Sequence, residues 1–437
     1  MRPGARLAAA IEVLTEIMTR GRPAALSLSD WGKAHRFAGS GDRSAIGNLV
    51  YDVLRSKRSL AARMGSDDPR ALVVAAAQTS LGLSESELIT AADGSKHAIS
   101  PLSDSERTAL ASVVPDDAVS AVAADLPDWL VPSMTRVFGE GLVAEGRALA
   151  RRAPVDIRVN TLKADRGKVL RALAEAGAEP TPHSPIGLRV PHGRAGRRTP
   201  NVEAEASHGK GWFEVQDEGS QIAALLAGAG PREQVLDLCA GAGGKTLALG
   251  LGMQNTGQIF AYDRDRNQLR PIFERIRRAA LRNVQVMDAG REAELLALGA
   301  RFDLVFVDAP CTGSGVWRRR PDAKWRVKPQ NLAQRLEEQA DVLTTGAKLV
   351  KPGGRLVYVT CSLLPEENVD QVTAFLDGQP DFRVVPYRQA WKNHISDTPP
   401  DSADGADDTL LLSPHRHGTD GFFIAILQRD GPEAIAT

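Results

Sequence analysis

The sequence predicts an α/β protein organised around a parallel sheet, preceded by a small α+β domain and an all-α N-terminal domain. Three observations carry that prediction. From residue 231 onward, strand-like apolar runs alternate with helical segments at a spacing that implies a parallel sheet with right-handed crossovers. Leu304, Val305, Phe306 and Val307 form a short apolar run of the kind buried on both sheet faces, and Asp308 and Pro310 end it. The three cysteines, Cys239, Cys311 and Cys361, each follow such a run, at the strand ends where open α/β sheets bind ligands.

Residues 1–125 read as a helical domain. Ile46, Leu49, Val50, Val53 and Leu54 form a stripe on one helix face, and Leu7, Ile11, Leu14 and Met18 form another. Arg43, Arg55, Lys57 and Arg58 surround the first stripe and are expected to face water or a phosphate backbone. Further helices are expected near 71–81 and 103–113. Residues 126–230 read as a small basic α+β domain, with a helix after Trp129, a strand at 156–160, a helical turn or two at 167–177, and a strand at 188–190.

Residues 231–437 hold the alternating pattern. Strands are expected at 234–239, 257–263, 284–288, 302–308 and 355–360, and helices at 244–253, 266–280, 291–298, 331–349 and 365–376. Two terminal strands, 382–385 and 422–428, flank a polar acidic loop at 396–408 that is expected to be mobile.

Composition narrows the function class. A length of 437 residues fits about three domains, and 43% hydrophobic with 25% charged residues is ordinary for a globular protein. No apolar run reaches the roughly 18 residues of a membrane span, and the first residues lack the apolar core of a secretory signal. Three distant cysteines make no disulfide framework, which fits reduced thiols in a cytoplasmic protein, and a monomer is expected. The net charge of +0 hides segregation: residues 1–65 carry 11 Lys/Arg against 5 Asp/Glu, residues 66–130 carry 3 against 11, and residues 151–200 carry 11 against 4. Solvated helix faces and a polyanionic partner both produce such segregation.

The turn Cys239-Ala240-Gly241-Ala242-Gly243-Gly244-Lys245 lies between the first strand and first helix of the alternating region. A phosphate-binding P-loop would need glycine where Cys239 stands, and a dinucleotide site would need one where Thr246 stands. An adenosine-containing ligand without phosphates fits better. Asp263 closes the second strand, where a carboxylate can hold ribose hydroxyls, and Asp288 closes the third, where adenine would lie. This reading names S-adenosylmethionine as cofactor, with no metal: His415 and His417 have no third ligand in view.

Together, residues 239–245, Asp308-Ala309-Pro310-Cys311, Thr360-Cys361-Ser362 and Asp420-Gly421-Phe422-Phe423 resemble the RsmB/Sun (Fmu) family of RNA cytosine-5 methyltransferases, over roughly residues 125–428. Gln216-Asp217-Glu218-Gly219-Ser220 resembles that family's entry to its catalytic domain, and residues 1–65 resemble, more weakly, a NusB-type RNA-binding domain. The acidic segment 66–125 departs from that pattern. The resemblance implies a Rossmann-like S-adenosylmethionine-dependent methyltransferase sheet and an RNA substrate, ribosomal RNA before transfer RNA. It also implies that Cys361 attacks carbon 6 of cytosine, Asp308 contacts N3 and the exocyclic amine, and Cys311 assists product release. Lys245 is a candidate to orient substrate or cofactor. The plainer reading of Cys239 is a small buried hydrophobe. Trp317 to Arg326 interleaves tryptophan with basic residues and is expected to contact phosphates and stack on bases. Two rivals stand beside this reading. A DNA cytosine-5 methyltransferase would attack with Cys311 alone, and a non-catalytic RNA-binding assembly factor would have lost Cys361, Asp308 or Lys245.

Overall fold

The computed structural model describes residues 1–112, 120–192 and 200–431. The end of the expected helix at 103–113 and part of the basic segment 151–200 lie outside them. Helices from Pro3–Arg20 to Asp104–Ala111 form an α-helical unit with its own core, in which Leu7, Leu14, Ile46, Leu49, Val50 and Val53 are buried. Both stripes read from the sequence point into that core.

Four strands form a small antiparallel sheet: β1 (Val155–Val159), β2 (Glu179–Pro180), β3 (Gly187–Val190) and β4 (Phe213–Val215), in the order β2-β3-β1-β4. The alternation of β1 sorts its residues. Ile157 and Val159 enter an apolar core with Val169 and Phe213, whereas Asp156 and Arg158 are buried on the other side against the large domain. Arg158 donates to Gly244 O at 2.6 Å, so this unit braces the glycine-rich turn from beneath.

The large sheet contains β5 (Gln234–Asp237), β6 (Gln258–Ala261), β7 (Val284–Val286), β8 (Phe302–Asp308), β9 (Val350–Thr360), β10 (Phe382–Val385), β11 (Leu410–Leu412) and β12 (Phe422–Arg429). Its order is β10-β12-β9-β8-β5-β6-β7, with β11 also paired to β12. The five strands β5 to β9 run parallel. β12 is antiparallel to β9, β10 and β11, so the sheet is mixed. β9, β8 and β5 are neighbours, which brings the three cysteine-bearing ends side by side.

Several expectations change. Leu126, Leu130, Met134, Phe138, Leu142 and Leu149 pack into the large domain's core and not into that of the small sheet, because the helices carrying them lie against residues such as Leu363 and Phe375. The helix Glu218–Leu226 likewise joins the large core through Ile222 and Leu226. The loop at 396–408 is fastened rather than loose: Ser402 and Ala403 are each 1% exposed, and Tyr387 donates from its hydroxyl to Pro400 O.

The basic residues near the first domain are also committed internally. Arg55 bonds Asp52 and Arg318 O, Arg58 makes a two-pronged contact with Asp128, and Lys57 lies 5.3 Å from the Trp325 ring centroid. Arg43 caps Ala38 O. The tryptophans of the stretch expected to bind nucleic acid are committed to packing between domains. Trp317 is buried in the large core, and Trp325 packs against the N-terminal core, its indole N–H donating to Leu54 O. Lys324, 1% exposed, donates to Arg55 O, and burial lowers its pKa to about 8.

Candidate active site

The site forms where β5, β8, β9 and β12 meet their loops. β8 stops because Pro310 has no N–H, and the chain then turns with Gly313 in the left-handed region at φ +69. Beyond β9, Cys361 begins the next turn. The two loops touch: Cys311 Sγ lies 3.4 Å from Cys361 Sγ. Gly315 N donates to Cys361 O, and Gly421 N donates to Gly315 O. A Cβ on Gly315 would stand 2.4 Å from Gly421 O, so the approach of the β12 entry to the Cys311 loop requires glycine.

Lys245 opens the helix Gly244–Gly252, and its ammonium reaches Asp308 Oδ2 at 2.6 Å and the Phe422 ring centroid at 5.2 Å. Burial works against its charge, but the Asp308 carboxylate outweighs this and raises its pKa. The Cys311 thiol is pushed well up, first by its contact with Cys361 and then by burial. Burial also pushes the Cys239 thiol up, which matches an inert lining residue.

The glycine-rich turn fits an adenosine-containing cofactor. Gly243 sits at φ +83, and a Cβ there would strike Ile272, so the turn closes tightly on its inner side. Gly241 has open space where a Cβ would project. Asp263, at the end of β6, accepts from Gly241 N at 2.9 Å and from Asp265 N at 2.8 Å, which fixes its carboxylate beside that opening. Asp288 differs: its side chain is 75% exposed and contacts Arg291, so it is not fixed beside the turn as Asp263 is. Ala240 and Ala242 complete the turn, Ala240 N bonding Tyr262 O and Ala242 O accepting from Arg275.

Asp237 lies under this turn, fully buried, with Oδ2 bonded to Thr246 and Oδ1 without a partner. Burial pushes its carboxyl up to about 7. Below that pH the folded chain holds a proton that the unfolded chain has released, down to about pH 4. The stability this provides is lost as the pH rises through 7. In Asp237→Asn, the fall in urea midpoint between about pH 5 and pH 8 should be smaller than in the parent; an equal fall would remove Asp237 as its source.

The family model described as 16S rRNA methyltransferase RsmB/F matches residues 224–428, and a ferredoxin-like domain model of RsmF/B-like methyltransferases matches residues 126–195. The chain belongs to the RsmB/F methyltransferase family. A probable ribosomal RNA small subunit methyltransferase B of Synechocystis is 34% identical over 69% of this chain and 66% of its own length. The ribosomal RNA small subunit methyltransferase B of Vibrio cholerae is 31% identical over 69% of this chain and 65% of its own length. The chain thus spans about two thirds of the curated relatives that it matches. A solved structure titled PH0851 superposes with a TM-score of 0.74 at 26% identity, covering 98% of this chain and 99% of that one.

Of the site residues read from the sequence of this RsmB/F member, Cys311, Cys361, Asp308 and Lys245 come together, with Cys239 and the glycine-rich turn beside them. His417 does not join a metal site: its Nδ1 accepts from Ser413 N and its Nε2 faces Asp401 O. Among the described residues no group of three or more ligating side chains could hold a metal ion. Two contributions escaped sequence reasoning. Phe422 was read only as part of a motif, yet its ring faces the Lys245 ammonium. Glu367 was not singled out, although its carboxyl, 0% exposed, joins both cysteine loops. The second of two adjacent glutamates after Pro365 has no periodicity to mark it as buried.

Proposed function

We propose that this chain transfers a methyl group from S-adenosylmethionine to carbon 5 of cytosine in RNA, with 16S ribosomal RNA as the favoured substrate. The observation that carries the reading is the pair of thiols 3.4 Å apart on adjacent strand ends, beside the Lys245–Asp308 ion pair. Thiols in contact can both face the carbon 5–carbon 6 edge of one cytosine, so one can reach carbon 6 while the other lies near carbon 5. The names of the Synechocystis and Vibrio relatives support ribosomal RNA as the substrate class.

Carbon 5 of cytosine is a weak nucleophile until a thiolate adds to carbon 6. Cys361 makes that bond, and electron density moves through the ring toward N3 and O2. Asp308 contacts N3 and the exocyclic amine, while Lys245 holds the Asp308 carboxylate and supplies positive charge beside it. Bound S-adenosylmethionine supplies an electrophilic methyl group, which carbon 5 takes. Cys311 then assists removal of the carbon 5 proton, so that the Cys361–carbon 6 bond breaks and the aromatic ring returns.

Removal of the Asp263 carboxylate should weaken cofactor binding by at least about tenfold, roughly 1.4 kcal/mol, as expected for one charge-assisted hydrogen bond. Calorimetry on Asp263→Ala tests this, and unchanged affinity would place the ribose elsewhere. RNA contact is carried, in this reading, by cations at the surface of the small domain, not by Trp317 or Trp325. Lys168 and Lys210 stand 4.0 Å and 5.2 Å from the Trp212 ring centroid, and bundle positive charge at one surface point. Bisulfite sequencing of RNA from cells with and without the protein tests the proposed function as a whole: one cytosine should lose its protection when the protein is absent.

A further inference from the structure

We propose that Glu367 is the positioning residue that sets the working separation of the two thiols, an inference that rests on the cytosine-5 reading above. Its carboxyl is buried beneath the site and does not face the substrate side, so its action is through the loops it holds. Oε1 accepts from Thr312 N at 2.7 Å and from Gln339 Nε2 at 3.1 Å. Oε2 faces the hydroxyls of Thr312 and Ser362. Thr312 follows Cys311 and Ser362 follows Cys361, so one carboxyl ties together the residues next to both thiols.

The surrounding bonds make this tie stiff. Gln339, on the helix Pro329–Leu349, also donates to Pro310 O at 2.9 Å, holding the Cys311 loop from its other side. Ser314 Oγ lies 3.0 Å from Ser362 Oγ and accepts from Leu363 N, a second link between the loops. Asn368 donates to Ser362 O and accepts from Thr360, which anchors the Cys361 loop to the chain that carries Glu367.

The partners also say what the position requires. The two N–H groups facing Oε1 can only donate, whereas the two hydroxyls facing Oε2 can donate or accept. A neutral group with a carbonyl on one side and a donor on the other therefore satisfies all four partners. Burial raises the Glu367 carboxyl above its usual range, in keeping with a site that tolerates the neutral form. Glutamine should serve here; a side chain without the polar end should not.

The test uses the full chain as Glu367→Gln, Glu367→Ala and Thr312→Val, the last removing one hydroxyl at nearly constant volume. The first readout is the rate at which diamide joins Cys311 and Cys361 in RNA-free protein. There the two thiols give two protons and two electrons to the azo group and the chain loses two hydrogens in mass. The second is single-turnover methyl transfer at saturating RNA and cofactor. Glu367→Gln should match the parent within about threefold on both readouts. Glu367→Ala should slow cross-linking by about tenfold and methyl transfer by about a hundredfold, with RNA and cofactor affinities unchanged, because small misplacements of reacting groups cost that much. Thr312→Val should slow methyl transfer by about tenfold, and it carries the test if Glu367→Ala does not fold. Parent-like rates in folded Glu367→Ala or Thr312→Val, or a Glu367→Gln variant as slow as Glu367→Ala, would overturn the proposal. If the parent itself methylates no cytosine, the cytosine-5 reading fails, while the cross-linking rates still decide what Glu367 does to the thiols.

Discussion

Cys311→Ser is expected to accumulate a covalent protein–RNA complex, and Cys361→Ser to form none. A serine hydroxyl at neutral pH is a far weaker nucleophile than a thiolate, so replacing the attacking residue stops the reaction before any bond to RNA exists. Replacing the residue that assists release leaves attack and methyl transfer intact, and the adduct then stalls because the carbon 5 proton has lost its path. The structure adds a physical reason for this division. The Cys311 thiol is held well above its ordinary pKa by its Cys361 contact and by burial, which keeps it protonated and does not suit a group that attacks as an anion. Each variant should lose roughly a thousandfold or more in turnover, since the two residues act in one sequence of steps. A denaturing gel after incubation with RNA and S-adenosylmethionine separates them. A slow-migrating band with Cys361→Ser and none with Cys311→Ser would assign the attack to Cys311.

Arg318→Ala is expected to cause the largest loss of stability. Arg318 and Arg319 lie between the Asp217 and Asp420 carboxylates, with Arg318 and both acids nearly buried. Asp420 N also donates to Asp217 at 3.1 Å, so the two acids stand close together. Burial, and then the neighbouring Asp217, push the Asp420 carboxyl up to about 6 even with both arginines present. Deleting Arg318 leaves two carboxylates sharing one half-exposed guanidinium, and breaking a buried ionic cluster in this way costs about 3–5 kcal/mol. The urea midpoint at neutral pH should fall accordingly, and part of the loss should return at pH 5, where the pair can hold a proton. A change below about 1 kcal/mol would mean the cluster is not a structural clamp. Functionally the clamp joins the helix Glu218–Leu226, the segment after the Cys311 loop and the entry to β12, three parts that frame the thiols.

Much of the catalytic domain was legible because buried parallel strands announce themselves. β8 and β9 read as apolar runs, the first stopped by Pro310, and a cysteine follows each within a few residues. Their adjacency was not legible: the strand order β9-β8-β5 puts the ends side by side, and no local pattern encodes that order. β4 and β11, of three residues each, were too short to show alternation. The misread stretches share one cause. Trp317 to Arg326, like Arg43, Arg55 and Arg58, has the basic and aromatic composition of an RNA-binding surface, and a domain interface rich in arginine has the same composition. Only the partners, Asp217, Asp420, Asp52, Asp128 and the Leu54 carbonyl, separate the two. Glu367 was invisible for a related reason, since its four partners come from sequence positions 312, 339 and 362. The loop at 396–408 reads as polar and loose, yet its polar atoms are used: Ser402 Oγ accepts from Leu411 N at 2.7 Å.

The position of the transferred methyl group tests the cytosine-5 reading most directly. The purified chain would be incubated with unmodified 16S ribosomal RNA, as transcript and as small subunits, and with S-adenosylmethionine carrying a labelled methyl. The RNA would then be digested to nucleosides and separated by mass-resolved chromatography. Label should appear in 5-methylcytidine and be lost with Cys361→Ser. Label confined to another base, to a ribose oxygen or to an exocyclic nitrogen would contradict that reading, as would 5-methylcytidine formed equally well without Cys361.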